Sequence, residues 1–264
     1  MNQGFSYDDV LLKPRKTSVK SLSNVETSVN LAGLNLSIPV ISAAMDTVTE
    51  TEMAIELARI GGLGVLHRFM SPKEQAKQVR EVKESQIKDE NSATDERGDL
   101  IVGAAIGLHD EKRADELVEA DVDALVMDIA HGHHVELLEE IEYYSKEYPE
   151  TVLVAGNIAT TKAAEELEQA GADVIKVGIG PGSACTTREM TGVGVPQFTA
   201  VNECSEAVNV PVIADGGIRK PGDLAKAIMA GASAGMIGGM FAGTDEAPGE
   251  LVERKGEKFK EFRG

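Results

Sequence analysis

Residues 178–189, GIGPGSACTTRE, gather reactive side chains in one glycine-rich stretch. It holds Cys185, one of only two cysteines in the chain, followed directly by Thr186, Thr187 and Arg188. A thiolate is a strong nucleophile, and neighbouring cations and donors favour that form. Arg188 and the loop's own donors would supply such a setting. A lone cysteine is also commonly a small buried hydrophobe. Cys204, inside the helical pattern NECSEAV, fits that description. Cys185 lies in a polar loop, and nucleophile and structural thiol both stay open for it.

The surrounding glycines suggest what such a group would face. Glycine lets backbone N–H groups turn toward an anion, and Ser183 adds a hydroxyl donor. This is no dinucleotide fingerprint, because the glycines fall at 178, 180 and 182 and Pro181 interrupts them. Two more pairs, Gly216–Gly217 and Gly238–Gly239, end later apolar runs. Three such loops together point to a phosphorylated ligand. Asp215 stands just before Gly216; its carboxylate can accept both hydroxyls of a ribose or cap the next helix. His131, His133 and His134 in DIAHGHH match no standard zinc spacing, which argues against a metal there. Asp128, heading that motif, is the better candidate for chemistry.

These loops need elements to hold them. Eight short apolar runs recur, at 38–45, 61–67, 100–107, 124–130, 152–158, 174–180, 210–217 and 234–243. They are continuously apolar, as strands of a parallel sheet buried on both faces should be. Amphipathic stretches such as TETEMAIELARI, SPKEQAKQVREVKES and TTKAAEELEQAGA separate them. Strand alternating with helix means βαβ units, and eight strands in 264 residues favour a closed (β/α)8 TIM barrel. Asp46, His67, Asp128, Asn157, Gly180, Asp215 and Gly238 all sit at strand ends on the face that carries active sites in such barrels. The first 37 or so residues precede the barrel and are expected to cap it or form a hairpin against it.

Bulk properties exclude other classes. With 44 acidic and 26 basic residues the net charge is −18, which disfavours binding to nucleic acid or anionic membrane. The acids lie along helical patterns as a solvated face; adaptation to high salt is the sharper reading of the same charge. No run has the ~18 apolar residues of a membrane span, and the start shows no secretion signal. Two cysteines make no disulfide framework, and free thiols fit a cytoplasmic protein.

Taken together, ISAAMDTVTE, DIAHGH, AGNIAT, KVGIGPGSACTTRE, TGVGVPQ, ADGGIRKPGD and FKEFRG resemble the inosine monophosphate dehydrogenase and guanosine monophosphate reductase family, from residue 5 to the last. The resemblance implies a TIM barrel, usually a homotetramer, that binds a purine 5′-monophosphate and a nicotinamide cofactor, NADP or NAD. It implies that the Cys185 thiolate attacks purine C2 and that Thr187 helps handle the proton of water or ammonia. Ser183, Gly217 and Gly239 would bind the phosphate, with Gly182, Gly216 and Gly238 beside them. Asp215 would hold the ribose and Met45 the base. Asp128, Asn157 and Lys176 would face the nicotinamide. The carbonyls of Gly180, Gly182 and Cys185 would ligate potassium in the dehydrogenases.

Within the family, dehydrogenases usually carry cystathionine-β-synthase-type regulatory modules between helix two and strand three. Here only ESQIKDENSATDERGD stands there, and reductases lack the insertion. MTGVGVPQFTAVNEC, IGGMFAG and GELVERKGEKFKEF also resemble reductases, whereas ISAAMDTVTE and DIAHGH resemble dehydrogenases. The expectation is a GMP reductase, turning GMP and NADPH into IMP, ammonia and NADP. The alternative is an IMP dehydrogenase without regulatory modules, turning IMP, NAD and water into XMP and NADH. A catalytically inactive nucleotide-binding barrel and a flavin-dependent barrel are the readings from other classes. After the eighth run no further amphipathic helix follows. Residues 1–264 are therefore expected to be one catalytic barrel, truncated before its last helix and before a flap that distinguishes the two activities. Phe262 stands where the family often has a phosphate-contacting tyrosine.

Overall fold

The computed structural model describes residues 3–88 and 90–263. A hairpin comes first, β1 (Val29–Leu31) paired antiparallel with β2 (Leu34–Leu36). The eight apolar runs then form β3 (Val40–Ser42), β4 (Leu63–Leu66), β5 (Val102–Ile106), β6 (Ala124–Met127), β7 (Val152–Ile158), β8 (Val174–Val177), β9 (Val212–Asp215) and β10 (Ala234–Ile237). They close in the order β10-β3-β4-β5-β6-β7-β8-β9, all parallel. This is the expected (β/α)8 barrel.

Seven helices wrap it: α1 (Thr51–Arg59), α2 (Pro72–Lys83), α3 (Glu111–Val118), α4 (Val135–Glu147), α5 (Thr161–Ala170), α7 (Gln197–Ala207) and α8 (Pro221–Met229). Local chemistry fixes their ends. Ser71 caps α2 through the Glu74 N–H, with Pro72 in the first turn. Thr160 caps α5, and Gly171 stops it in a left-handed conformation. The short α6 (Thr187–Thr191), inside the cysteine loop, was not foreseen. Its five residues carry too little periodicity to read. Among the described residues no helix follows β10; an exposed hairpin of β11 (Val252–Arg254) and β12 (Glu257–Phe259) does.

Strand alternation builds two cores and the site together. Successive side chains point to opposite faces of a strand. Ala124, Val126, Val154, Val174, Ile213 and Ala234 fill the barrel interior, while Leu125, Met127, Leu153, Ile175 and Val212 pack outward under the helices. Leu31 and Leu36 of the first hairpin join the interior set, so the N-terminal segment plugs one end of the barrel. The same period carries Lys176 inward one step beyond Val174, Asp215 beyond Ile213 and Asp128 beyond Val126. Polar groups thus begin where the apolar filling stops.

Candidate active site

A cleft of about 400 Å³ opens at the C-terminal ends of the strands. That size suits a nucleotide-scale ligand. Met45, Asp128, Asn157, Gly180, Gly182, Ser183, Cys185, Thr187 and Asp215 line it, with the glycine pairs 216–217 and 238–239. Every site residue expected from the sequence except Lys176 therefore reaches one cleft. Lys176 lies below it, 2% exposed.

The cysteine loop sits on one wall. Cys185 is half-buried, and its Sγ lies 3.3 Å from Thr187 Oγ1, the first residue of α6. The Cys185 N–H donates to the Gly182 carbonyl at 3.1 Å, curling the loop back on itself. Among the described residues Arg188 makes no hydrogen bond to the thiol. Its aliphatic stem packs over Gly180 and Gly194, so close that a side chain at either glycine would collide with it. Cys204 has the other fate foreseen for it: it is fully buried in α7, and burial pushes its thiol up to about 12.

Beside the thiol, the cysteine loop and the two glycine pairs approach one another closely. Gly216 and Gly217 have φ of +90° and +79°, a region open to glycine and costly for other residues. A Cβ on Gly216 would come within 3.0 Å of the Gly182 nitrogen. Ser183 Oγ stands 3.1 Å from where a Cβ on Gly239 would be, and the ring of Phe262 lies against Gly238 and Gly239. The backbone approaches closely because none of these glycines carries a side chain.

A charged cluster forms the floor. Lys176 Nζ donates to Asp215 Oδ2 at 3.2 Å and to Asn157 Oδ1, and it lies 3.7 Å from Asp128 Oδ1. Burial alone would lower the lysine's pKa, but the carboxylates of Asp215 and Asp128 win and hold it above the ordinary lysine range. Asn157 reaches the cluster through a register shift in β7 between Gly156 and Ile158. Its amide donates to Asp215 Oδ2 and to the Gly178 carbonyl, both at 2.8 Å. Asn157 thus braces Asp215, whose Oδ1 accepts no hydrogen bond among the described residues. Gln197, 2% exposed on α7, donates to the Val177 and Asp215 carbonyls and ties β8 to β9.

Sequence reasoning missed Arg68. It lines the cleft, lies 4.0 Å from Asp128 and 5.5 Å over the Phe69 ring, and has a buried Nε without a hydrogen-bond partner. The available signal was its place just past β4, beside His67. Of the histidine motif, His133 pairs with Glu166 at 2.8 Å and His134 caps α4; among the described residues neither joins a metal-type cluster.

With this geometry in hand, comparison with known proteins is decisive. The model of the IMP dehydrogenase / GMP reductase domain matches residues 4–264. The chain belongs to this family. It is an oxidoreductase of that family, with a cleft at the C-terminal ends of its barrel strands. An inosine-5′-monophosphate dehydrogenase of Methanocaldococcus jannaschii is 38% identical over 379 residues, covering 99% of this chain and 76% of the relative. One from Borreliella burgdorferi is 42% identical over 305 residues, covering 99% and 75%. One from Cryptosporidium parvum is 40% identical over 298 residues, covering 100% and 74%. No helix among the described residues is long and apolar enough to cross a membrane.

Proposed function

We propose that the chain oxidises IMP to XMP with NAD, the dehydrogenase direction, and not the GMP reduction favoured by the sequence motifs. The observation that carries this is the set of relatives: the three compared above, at 38–42% identity over nearly the whole chain, bear the dehydrogenase name. The short segment between α2 and β5 looked reductase-like. Yet the alignment to the archaeal dehydrogenase spans 379 positions against 264 here, which supports the same barrel without an insert.

The residues divide the work. Ser183 Oγ and the N–H groups of the 216–217 and 238–239 pairs hold the 5′-phosphate, Asp215 Oδ1 holds the ribose, and Met45 lies under the base. The Cys185 thiolate then bonds to purine C2, the C2–N3 π pair moving to N3, which takes up a proton. The hydrogen on C2 leaves as hydride, so the purine is oxidised and stays tethered as a thioimidate. A nicotinamide, when bound, is the hydride acceptor. Water next attacks C2, its proton passes toward Thr187 Oγ1, and the C2–Sγ bond breaks to release XMP and the thiolate. Covalent attachment thereby splits one hard step into two. The cleft has room for a cofactor beside the thiol: Asp128, Ile129 and Ala130 also line it, with Arg68, whose Nε makes no hydrogen bond among the described residues and has only Asp128 Oδ2 4.0 Å away.

Potassium fits in part. The Gly180 and Cys185 carbonyls accept no hydrogen bond among the described residues, while that of Gly182 is shared with the Cys185 N–H. Carbonyl dipoles suit an alkali cation. A homotetramer and a cytoplasmic setting complete the proposal, on the family resemblance and the free thiols.

The direct test follows nicotinamide reduction in the near ultraviolet with two substrate pairs. IMP plus NAD should give rising absorbance. Falling absorbance with GMP plus NADPH, and none rising with IMP, would restore the reductase reading. Binding of IMP with neither reaction would indicate an inert barrel.

A further inference from the structure

Away from the cleft, the turn between β5 and α3 faces the flank of α4. His109, Glu111, Glu136, Glu139, Glu140 and Tyr143 line a shallow cavity of about 340 Å³ there. The ligand atoms of His109, Glu111 and Glu140 all lie within 4.8 Å of one another. Glu136 Oε2 is 3.3 Å from His109 Nε2. Three carboxylates, Glu111, Glu136 and Glu140, gather about the His109 imidazole, Glu136 Oε2 also lying 3.9 Å from His134 Nδ1, and among the described residues none of the three pairs with lysine or arginine. The nearby Arg113 is turned away to Asp110 and Gln75, at 2.6 and 2.7 Å.

Glu140 supplies a second, independent observation. It is 8% exposed, and its carboxylate faces His109: Oε1 accepts the His109 N–H at 2.7 Å and lies 3.1 Å from Nδ1. Its other oxygen, Oε2, is shielded from solvent and has no hydrogen-bond partner. A buried carboxylate oxygen without a partner is expensive unless something neutralises it. His109 serves Oε1, and no hydrogen-bond donor among the described residues reaches Oε2.

We propose that His109, Glu111 and Glu140, with Glu136 alongside, form a site for a divalent transition cation of the zinc class. One imidazole nitrogen with carboxylate oxygens is a donor set that such borderline ions accept, whereas calcium and magnesium prefer oxygen alone. Zinc–ligand bonds of about 2.1 Å place tetrahedral ligands about 3.4 Å apart. The present spacing reaches that by small side-chain rotations. The ion would clip the β5–α3 turn to α4 and neutralise Glu140. Its open side faces solvent, which marks it as structural rather than part of the oxidation chemistry. The site was not visible in the sequence, because its ligands come from two elements and the histidine is not one of the DIAHGHH set.

The test is equilibrium dialysis of the full chain against zinc chloride, followed by metal counting and thermal melting. Glu111 is exposed, so Glu111→Gln should keep the fold; His109→Asn also suits the left-handed backbone at that position, where φ is +56°. The native chain should bind one zinc that Glu111→Gln and His109→Asn each weaken about tenfold or more. Zinc should raise the melting temperature of the native chain and not of either variant. Cys185→Ala and His133→Ala should keep that zinc. Failure of the native chain to bind zinc would overturn the proposal, as would binding unchanged by Glu111→Gln and His109→Asn, or binding lost with Cys185→Ala.

Discussion

Lys176 Nζ lies 3.2 Å from Asp215 Oδ2, inside the barrel, with the lysine almost wholly buried and the aspartate reaching into the cleft. The ion pair aims a carboxylate at the ligand from a rigid floor. Removing its cation would leave Asp215 without an ion-pair partner and Asp128 with only Arg68, 4.0 Å away. Lys176→Met should destabilise the protein by about 3 kcal/mol, the low end for breaking a buried pair because both carboxylates keep some solvent. At this chain length that is a fall of about 6 °C in melting temperature. An unchanged melting temperature would deny the pair its structural weight.

The same pair predicts a pH dependence. Asp215 and Asp128 hold the folded lysine above its unfolded value of about 10.4. A raised pKa contributes stability that is complete below the unfolded value and is lost as pH rises through the folded one. The stability gap between the native chain and Lys176→Met should be flat from about pH 7 to pH 10 and shrink above that. Denaturant melts across that range check it.

At the far end of the barrel, Asp95 runs the opposite way. Burial opposes its charge, but the Asp99 N–H and the Lys83 ammonium, 3.0 Å away, hold it down at about 2. A lowered carboxylate pKa contributes stability above the unfolded value of about 3.9, lost as pH falls through the folded one. Asp95→Asn should therefore be less stable than the native chain at neutral pH. The difference should stay constant down to about pH 5 and fade toward pH 2.

The proposed phosphate site gives a prediction that separates phosphate from nucleoside. Ser183→Ala should weaken IMP binding about tenfold, the loss of one hydrogen bond to a charged group. It should leave the binding of inosine unchanged. Calorimetric titration of both ligands checks it; equal losses would place Ser183 elsewhere on the ligand.

Much of this site was legible in the sequence, and the gaps have physical reasons. The runs at 124–130, 174–180 and 210–217 were readable as strands, of which the structure keeps Ala124–Met127, Val174–Val177 and Val212–Asp215, and strand parity sends Asp128, Lys176 and Asp215 to one side. Cys204 was readable as core because its helix has an apolar face. Asn157 was readable as a site residue but not as a brace, since a register shift in β7 aims it. Arg188 looked like the thiol's cation, yet packs its stem over Gly180 and Gly194, a tertiary contact no spacing reveals. Arg68 was invisible because its partner Asp128 is 60 residues away in sequence. The motifs that resemble reductases lie in loops and the C-terminal hairpin, which vary most easily, so they weigh less on the proposed direction than relatives matched over nearly the whole chain.

The proposed chemistry turns on covalent attachment of Cys185 to the purine. In Cys185→Ala, turnover should fall about a thousandfold or more while IMP still binds. The most direct measurement is mass spectrometry of the native chain, acid-quenched during turnover of IMP and NAD and then digested. The peptide holding Cys185 should carry the mass of an oxidised purine monophosphate, and the peptide holding Cys204 should not. Steady turnover with the Cys185 peptide unmodified throughout would contradict the account.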